Sequence, residues 1–329
     1  MRRRDFCAAL GATTIALPSI ALGQSGSRPR VGMLWHAANE IEEAPYLGAF
    51  RRGMKDLGYI EGRNIELVLR FADEKYERFD VQAAELAELK VDLIYAVTPP
   101  AALAAQRATK TIPIVFLSIP DPVSLKLVKT IPRPGGNITG FSHMMHELQG
   151  KRLQMLKMAA PAISHLVLFV NPGNGEIHRK YVQETQAAQV TLGLTSNPIE
   201  LSKPDEIDGV FKTIDQGGYN GAMLYSDGLF FAQRARIAKL FLERRLPSMW
   251  FSRETAEPPG ALMSYGPELQ SIFYRSATYV DKIIKGADPA DLPVEFPTKY
   301  PTVFNRKTAD AIGLNVPDSF LSRVDDVIG

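Results

Sequence analysis

Cysteine is all but missing: Cys7 is the only one in 329 residues. Beyond its first few residues the chain therefore has no disulfide framework, no thiolate metal site and no thiol nucleophile. An excess of charge is missing too, with 38 basic against 36 acidic side chains, which removes the electrostatic reason to expect nucleic acid or an anionic membrane surface as a partner. No apolar run reaches the ~20 residues needed to span a bilayer. Catalytic signatures are absent as well. There is no G-x-S-x-G and no G-x-x-x-x-G-K-[ST], and "GGNITG" at 135–140 lacks the spacing of a dinucleotide fingerprint. The nearest approach to a metal motif, "HMMHE" at 143–147, is neither H-E-x-x-H nor H-x-x-E-H and reads as polar residues at a helix start. No cofactor and no metal are expected, and an enzyme such as a hydrolase would rest on fold alone.

What is present begins with a processing signal. Arg2, Arg3 and Arg4 precede a mildly apolar stretch, Ala8 to Leu22, broken by Pro18, and Ala21-Leu22-Gly23 is a small-x-small cleavage site before Gln24. Residues 1–23 read as an export peptide, and Arg3-Arg4-Asp5-Phe6 fits the twin-arginine pattern. Cleavage removes three arginines and Asp5 and leaves a chain with no net formal charge. The expected location is a bacterial periplasm.

The rest, 45% apolar and 22% charged, has the composition of a globular protein long enough for two lobes. From Val31 onward, short uniformly apolar strands alternate with amphipathic helices, the pattern of parallel sheets covered on both faces. A first series runs to a strand at 138–141 and includes a helix expected over Val123–Ile131. A second runs from a helix at Leu148–Met158 to a strand at Pro247–Trp250. Pro132 to Gly140, "PRPGGNITG", is the candidate hinge between them. After a strand at Ala261–Tyr265 and a helix at Leu269–Lys285, helices are expected at Arg306–Ile312 and Asp318–Val327. The fold class is α/β: two doubly wound parallel-sheet lobes with a cleft between them. Lobe 1 is expected to comprise residues 28–140 plus about 262–298, and lobe 2 residues 141–261 plus about 299–329.

Open α/β sheets bind ligands at the carboxyl ends of their strands, so strand-end residues are the candidates. Thr98 ends a strand ahead of Pro99 and Pro100, and its hydroxyl with the Ala101 amide suits a carboxylate; alternatively Thr98 caps its own helix. Asp121, held between two prolines, is either a helix cap or a ligand contact. Asp227, beside Tyr225 and Ser226, has the same two readings. Ser118, Ser142 and Asn171 close other strands, and Trp35 and Tyr265 are strand-end aromatics that favour a ligand with a flat apolar part.

Six ordered pieces carry a resemblance: "LGYIEGRNIELVLR" (57–70), "TIPIVF" with "DPV" (111–123), "RPGGNITG" (133–140), "GKRLQMLK" (150–157), "ADPADLPVEFPTKY" (287–300) and "NRKTADAIGL" (305–314). With them the chain resembles the ABC-transporter substrate-binding protein family that includes tryptophan/tyrosine-type uptake proteins. The resemblance implies a type I periplasmic-binding-protein fold and a monomer that captures a small amino-acid-like molecule and delivers it to an ABC permease and its ATPase. A sensor presenting its ligand to a membrane receptor is the alternative. A transcription regulator would need a helix-turn-helix where the export peptide stands. The family's G-T-P-A-A turn falls on Val97 to Ala101, here V-T-P-P-A, and its G-D-P-V falls on Pro120 to Val123, so both departures lie at the expected cleft.

Overall fold

A computed structural model describes residues 28–143 and 145–329; the expected export peptide lies outside them. The first lobe is built from β1 (Arg30–Trp35), α1 (Ala44–Asp56), β2 (Glu66–Phe71), α2 (Tyr76–Glu88), β3 (Leu93–Val97), α3 (Pro99–Ala108), β4 (Ile114–Ile119) and β5 (Ile138–Ser142). Its five strands are all parallel, in the order β2-β1-β3-β4-β5. The central strand β3 is buried along its whole length, as a strand with helices on both faces must be.

The chain then crosses to the second lobe, which holds α4 (Gln149–Ala159), β6 (His165–Val170), α5 (Gly175–Gln189), β7 (Thr195–Glu200), α6 (Ile207–Gln216), β8 (Gly221–Leu224), α7 (Gly228–Ala232), α8 (Arg234–Glu243), β9 (Ser248–Trp250), α9 (Arg253–Ala256) and β10 (Met263–Tyr265). Next, α10 (Leu269–Ile284) returns to pack on α1 of the first lobe. A last crossing leads to β11 (Thr302–Asn305), α11 (Arg306–Ala311), α12 (Asp318–Leu321) and β12 (Asp326–Ile328) in the second lobe. The second sheet has the order β12-β11-β10-β9-β8-β6-β7, with only the β10–β11 pair antiparallel.

Four expectations change. The strand at 261–265 belongs to the second sheet, where β10 pairs with β9 and β11, so the chain recrosses after Tyr265. The first crossing follows Ser142, because the glycine-rich segment 132–140 leads into β5, whose residue Phe141 also bridges to Glu295. In place of a helix at 123–131 there is a single turn: Leu127 N bonds Pro122 O at 2.9 Å, and the positive φ of Lys126 (56°) stops the coil. Finally, Asp318–Val327 divides into a four-residue helix and β12, since 326–328 completes the sheet beside β11; pairing in the tertiary structure overrides local helix propensity.

The α1–α10 contact fixes one glycine. A β-carbon on Gly53 would sit 2.3 Å from the Tyr274 carbonyl oxygen and 2.9 Å from Ala277 Cβ, so the helices could not approach this closely with a larger residue. We expect Gly53→Val to lower stability by roughly 1–3 kcal/mol, the usual cost of overpacking, read as a lower urea midpoint. An unchanged midpoint would mean that the two helices separate freely.

Candidate ligand-binding site

The carboxyl ends of β1 to β4 face the ends of β6 and β8 across a cavity, and the turns that follow these strands supply most of its wall. After β3, Thr98 adopts φ 82° and ψ 159°, a strained region for a β-branched residue. It does not cap α3: its Oγ1 is buried and has no hydrogen-bond partner among the described residues. Pro99 and Pro100 lack N–H groups, and the Ala101 amide makes no bond to a preceding carbonyl. Ser118, at the irregular end of β4, also has a positive φ (57°). Two strained hydroxyl residues and the start of a helix thus share one side of the cavity. His143, buried beside them, accepts from the Met145 amide at 3.2 Å. Burial first, then neighbouring His146, pushes its pKa down to about 3, so the ring is neutral.

The other side is acidic. His36 follows β1, and its ring lies between two carboxylates, with Nδ1 2.7 Å from Glu74 Oε1 and Nε2 3.3 Å from Glu43 Oε1. Burial alone would lower its pKa, but Glu43 and Glu74 overcome this and lift it to about 9, so the ring is cationic at neutral pH. Burial raises the pKa values of both glutamates, with His36 opposing. Asp227, from the second lobe, caps α7 through Leu229 N at 2.9 Å and accepts from Asn171 Nδ2 at 3.3 Å and Asn174 Nδ2 at 2.6 Å. A carboxylate has about four lone-pair sites, so these three bonds leave room for another. Gly228 lets this loop reach the first lobe, since a β-carbon there would lie 2.6 Å from His36 Nδ1. Among the described residues the charged groups lining the cavity are Glu43, Glu74, Asp227 and His36, with no lysine or arginine.

Aromatic rings form the remaining wall. Tyr46 packs against Phe231 at 5.3 Å and Phe273 at 4.9 Å between centroids, so its face spans both lobes, and its hydroxyl donates to Glu254 Oε2 at 3.1 Å. Tyr76, Phe79, Tyr181 and Phe251 complete this surface.

Of the strand-end candidates, Thr98, Ser118 and Asp227 line the cavity. Ala101 is buried at the start of α3, and Asn171 orients Asp227 from behind. Ser142 is buried with its hydroxyl 3.5 Å from Pro120 O. The aromatic candidates are placed differently. Trp35 is fully buried behind the wall, stacked on Phe273 at 5.6 Å and 12°. Tyr225 is a core residue paired with Thr185 Oγ1 at 2.9 Å, and Tyr265 lies outside the cavity lining. Asp121 caps no helix. It holds its turn through Ser124 N (3.0 Å) and Ser124 Oγ (2.6 Å), and it pairs with Lys180 Nζ of α5 at 3.1 Å, from one lobe to the other, on a groove beside the cavity. Despite partial burial, the bonds from Ser124 and Lys180 hold its pKa below the usual carboxylate range. Sequence reasoning missed His36, Glu43, Glu74, Tyr46 and Tyr76. The available signal was their position in the loops and first helical turns just after β1 and β2.

Two doubly wound lobes joined by three crossings, with a polar and aromatic cavity between them, have the type I periplasmic-binding fold. The model of the ABC transporter substrate-binding protein family matches residues 44–328, and the chain belongs to that family. It is 25% identical over 288 residues, 84% of this chain and 80% of the other, to a tyrosine-binding protein of Clostridioides difficile strain R20291. It superimposes with a TM-score of 0.81 and 21% identity on an ABC domain in complex with L-Trp from Streptococcus pneumonia, covering 92% of this chain and all of that one. With the ligand-free, open form of a Clostridium difficile substrate-binding protein with adhesive properties the TM-score is 0.65, at 23% identity, covering 91% of this chain and 99% of that one. Among the described residues no helix is long and apolar enough to cross a membrane.

Two outcomes follow from these geometries. A histidine lifted from 6.5 to about 9 contributes stability that is complete below pH 6.5 and disappears as pH rises through 9. The thermal midpoint of the ligand-free protein should therefore fall across that window, and His36→Gln should remove most of the slope. For Asp121 and Lys180, separate alanine substitutions should each weaken ligand binding a few-fold. A double-mutant cycle on binding should give a coupling of up to ~1 kcal/mol, as for exposed pairs, that shrinks in high salt. Strict additivity would mean that the pair does nothing for closure.

Proposed function

We propose that this chain captures an aromatic amino acid outside the cytoplasmic membrane and delivers it to an ABC permease and its ATPase. The polarity of the cavity carries this reading. Neutral donors at Thr98, Ser118 and the start of α3 suit a carboxylate, the carboxylates of Asp227 and Glu74 suit an ammonium, and the rings of Tyr46, Phe231 and Phe273 suit a flat apolar body. The names of the relatives, one binding tyrosine and one holding L-Trp, support the same ligand class. Export to the periplasm through residues 1–23 fits this role, as does a monomer that binds rather than transforms its ligand.

The bipolar arrangement also supports closure. The carboxylate donors belong to the first lobe and Asp227 to the second, so a zwitterion bridging them binds the closed form better than the open one. Only such a difference shifts the balance between the two.

Calorimetry on the chain starting at Gln24 tests this, using L-tyrosine and L-tryptophan against tyramine, tryptamine and their desamino acids. The two amino acids should bind, and removal of either charged group should weaken binding by about a hundredfold or more, since a buried partner is then left unpaired. Asp227→Asn should weaken the amino acids to a similar degree. Equal binding of the desamino acids would overturn the assignment of the ammonium, and no binding by any aromatic amino acid would overturn the ligand class.

A further inference from the structure

Glu43 stands apart from the other acids of the cavity. Its residue is 0% exposed, and neither carboxylate oxygen has a hydrogen-bond donor among the described residues. Asp227, by contrast, already holds three donors, and Glu74 holds His36 Nδ1 at 2.7 Å. The charge of Glu43 is not unanswered, because His36 Nε2 lies 3.3 Å from Oε1. It has a cation beside it but no donor aimed at it. A buried acceptor left in that condition is destabilising, more so when charged, and a neutral donor would satisfy it without adding to the charge that His36 supplies.

The surroundings indicate what would complete it. Glu43 immediately precedes α1, and Tyr46 in the first turn of that helix donates its amide to the Glu43 carbonyl at 3.0 Å. Tyr46 is the ring that stacks on Phe273 and touches Phe231, and all four residues line the cavity. Glu43 therefore joins the acidic side of the cavity to its aromatic wall, where the flat part of a ligand would rest.

We propose that Glu43 reads a neutral hydrogen-bond donor on the ligand's ring, so that the site selects aromatic amino acids bearing a ring O–H or N–H, a phenol or an indole, over those without one. This rests on the aromatic amino acid reading above and adds a residue that sets the choice within the class. The ring donor bonds a carboxylate that already has the His36 imidazolium beside it, so no proton has to move. A ligand of the same shape but without the donor leaves Glu43 buried and unpaired, and sites of that kind discriminate strongly.

The test uses near-isosteric pairs that differ only in the donor: L-tyrosine against 4-fluoro-L-phenylalanine, and L-tryptophan against 3-benzothienyl-L-alanine. Binding is measured by calorimetry on the unaltered chain, on Glu43→Gln and on Glu43→Leu. In the unaltered chain at least one donor-bearing ligand should bind about tenfold or more tighter than its isostere. Glu43→Leu should collapse that ratio to within about threefold, while Glu43→Gln, which keeps an acceptor oxygen, should retain part of it. Equal affinity within both pairs in the unaltered chain overturns the proposal without any variant having to fold, and leaves the aromatic amino acid reading intact. A ratio that survives Glu43→Leu also overturns it, including the case in which Glu43 instead holds the ammonium and both members of a pair weaken together. Failure of all four ligands to bind the unaltered chain overturns this proposal together with the reading beneath it.

Discussion

The imidazolium of His36 shares two buried carboxylates, and the polarity of the cleft is organised around that shared charge. An unpaired glutamate at the depth of Glu43 would be neutralised or expelled to solvent, because desolvation of a lone charge far exceeds what packing returns. With His36 lifted to about 9, two acids can stand in the wall of an apolar cavity although burial raises the pKa values of both. Together with Asp227 they are the groups an ammonium would meet in a pocket otherwise lined by rings. All three side chains come from the loops after β1 and β2, so the cluster is assembled within one lobe.

On the proposed reading, closure acts on groups that are individually incomplete. Thr98 holds its hydroxyl on the cavity at the cost of a left-handed backbone, and Asp227 arrives from the second lobe with its own donors already satisfied and one position free. Neither group alone distinguishes an open cleft from a closed one. A ligand that spans them does, because the distance between them changes as the lobes move. The chain crosses between the lobes three times, after Ser142, after Tyr265 and ahead of Thr302. Such hinge motion needs few residues to change conformation.

The architecture was legible in the sequence because it depends on pattern. Apolar runs separated by amphipathic segments dictate covered parallel sheets wherever they occur, and both lobes appeared in that way. Elements whose identity depends on neighbours did not. Residues 326–327 look helical until β11 is beside them to be paired, and 123–131 look helical until Lys126 takes a positive φ and ends the coil after one turn. The strand-end rule found Thr98, Ser118 and Asp227 because they follow their strands directly. It passed over Glu43 and Glu74, which sit several residues along loops whose path only the folded chain defines. It also favoured Trp35, Tyr225 and Tyr265, all at strand ends. Phe273, by contrast, arrives at the cavity on α10, a helix that recrosses from the second lobe, and no local pattern announces that arrival.

Asp121 shows how position divides labour in a cleft. Its place between two prolines after a buried strand marks it as a carboxylate held in a fixed direction, and that direction is toward Lys180 on the opposite lobe, at the rim. Both partners are partly exposed, with side-chain exposures of 22% and 42%, and a pair of that kind is worth no more than ~1 kcal/mol. Such an energy cannot select one ligand from another, since it is the same for every ligand. It can bias a balance between open and closed forms that are themselves only a few kcal/mol apart. On the proposed reading, selectivity would reside in the buried groups, whose unmet hydrogen bonds penalise the wrong molecule, and readiness to close at the rim. Sequence change at one can proceed without disturbing the other.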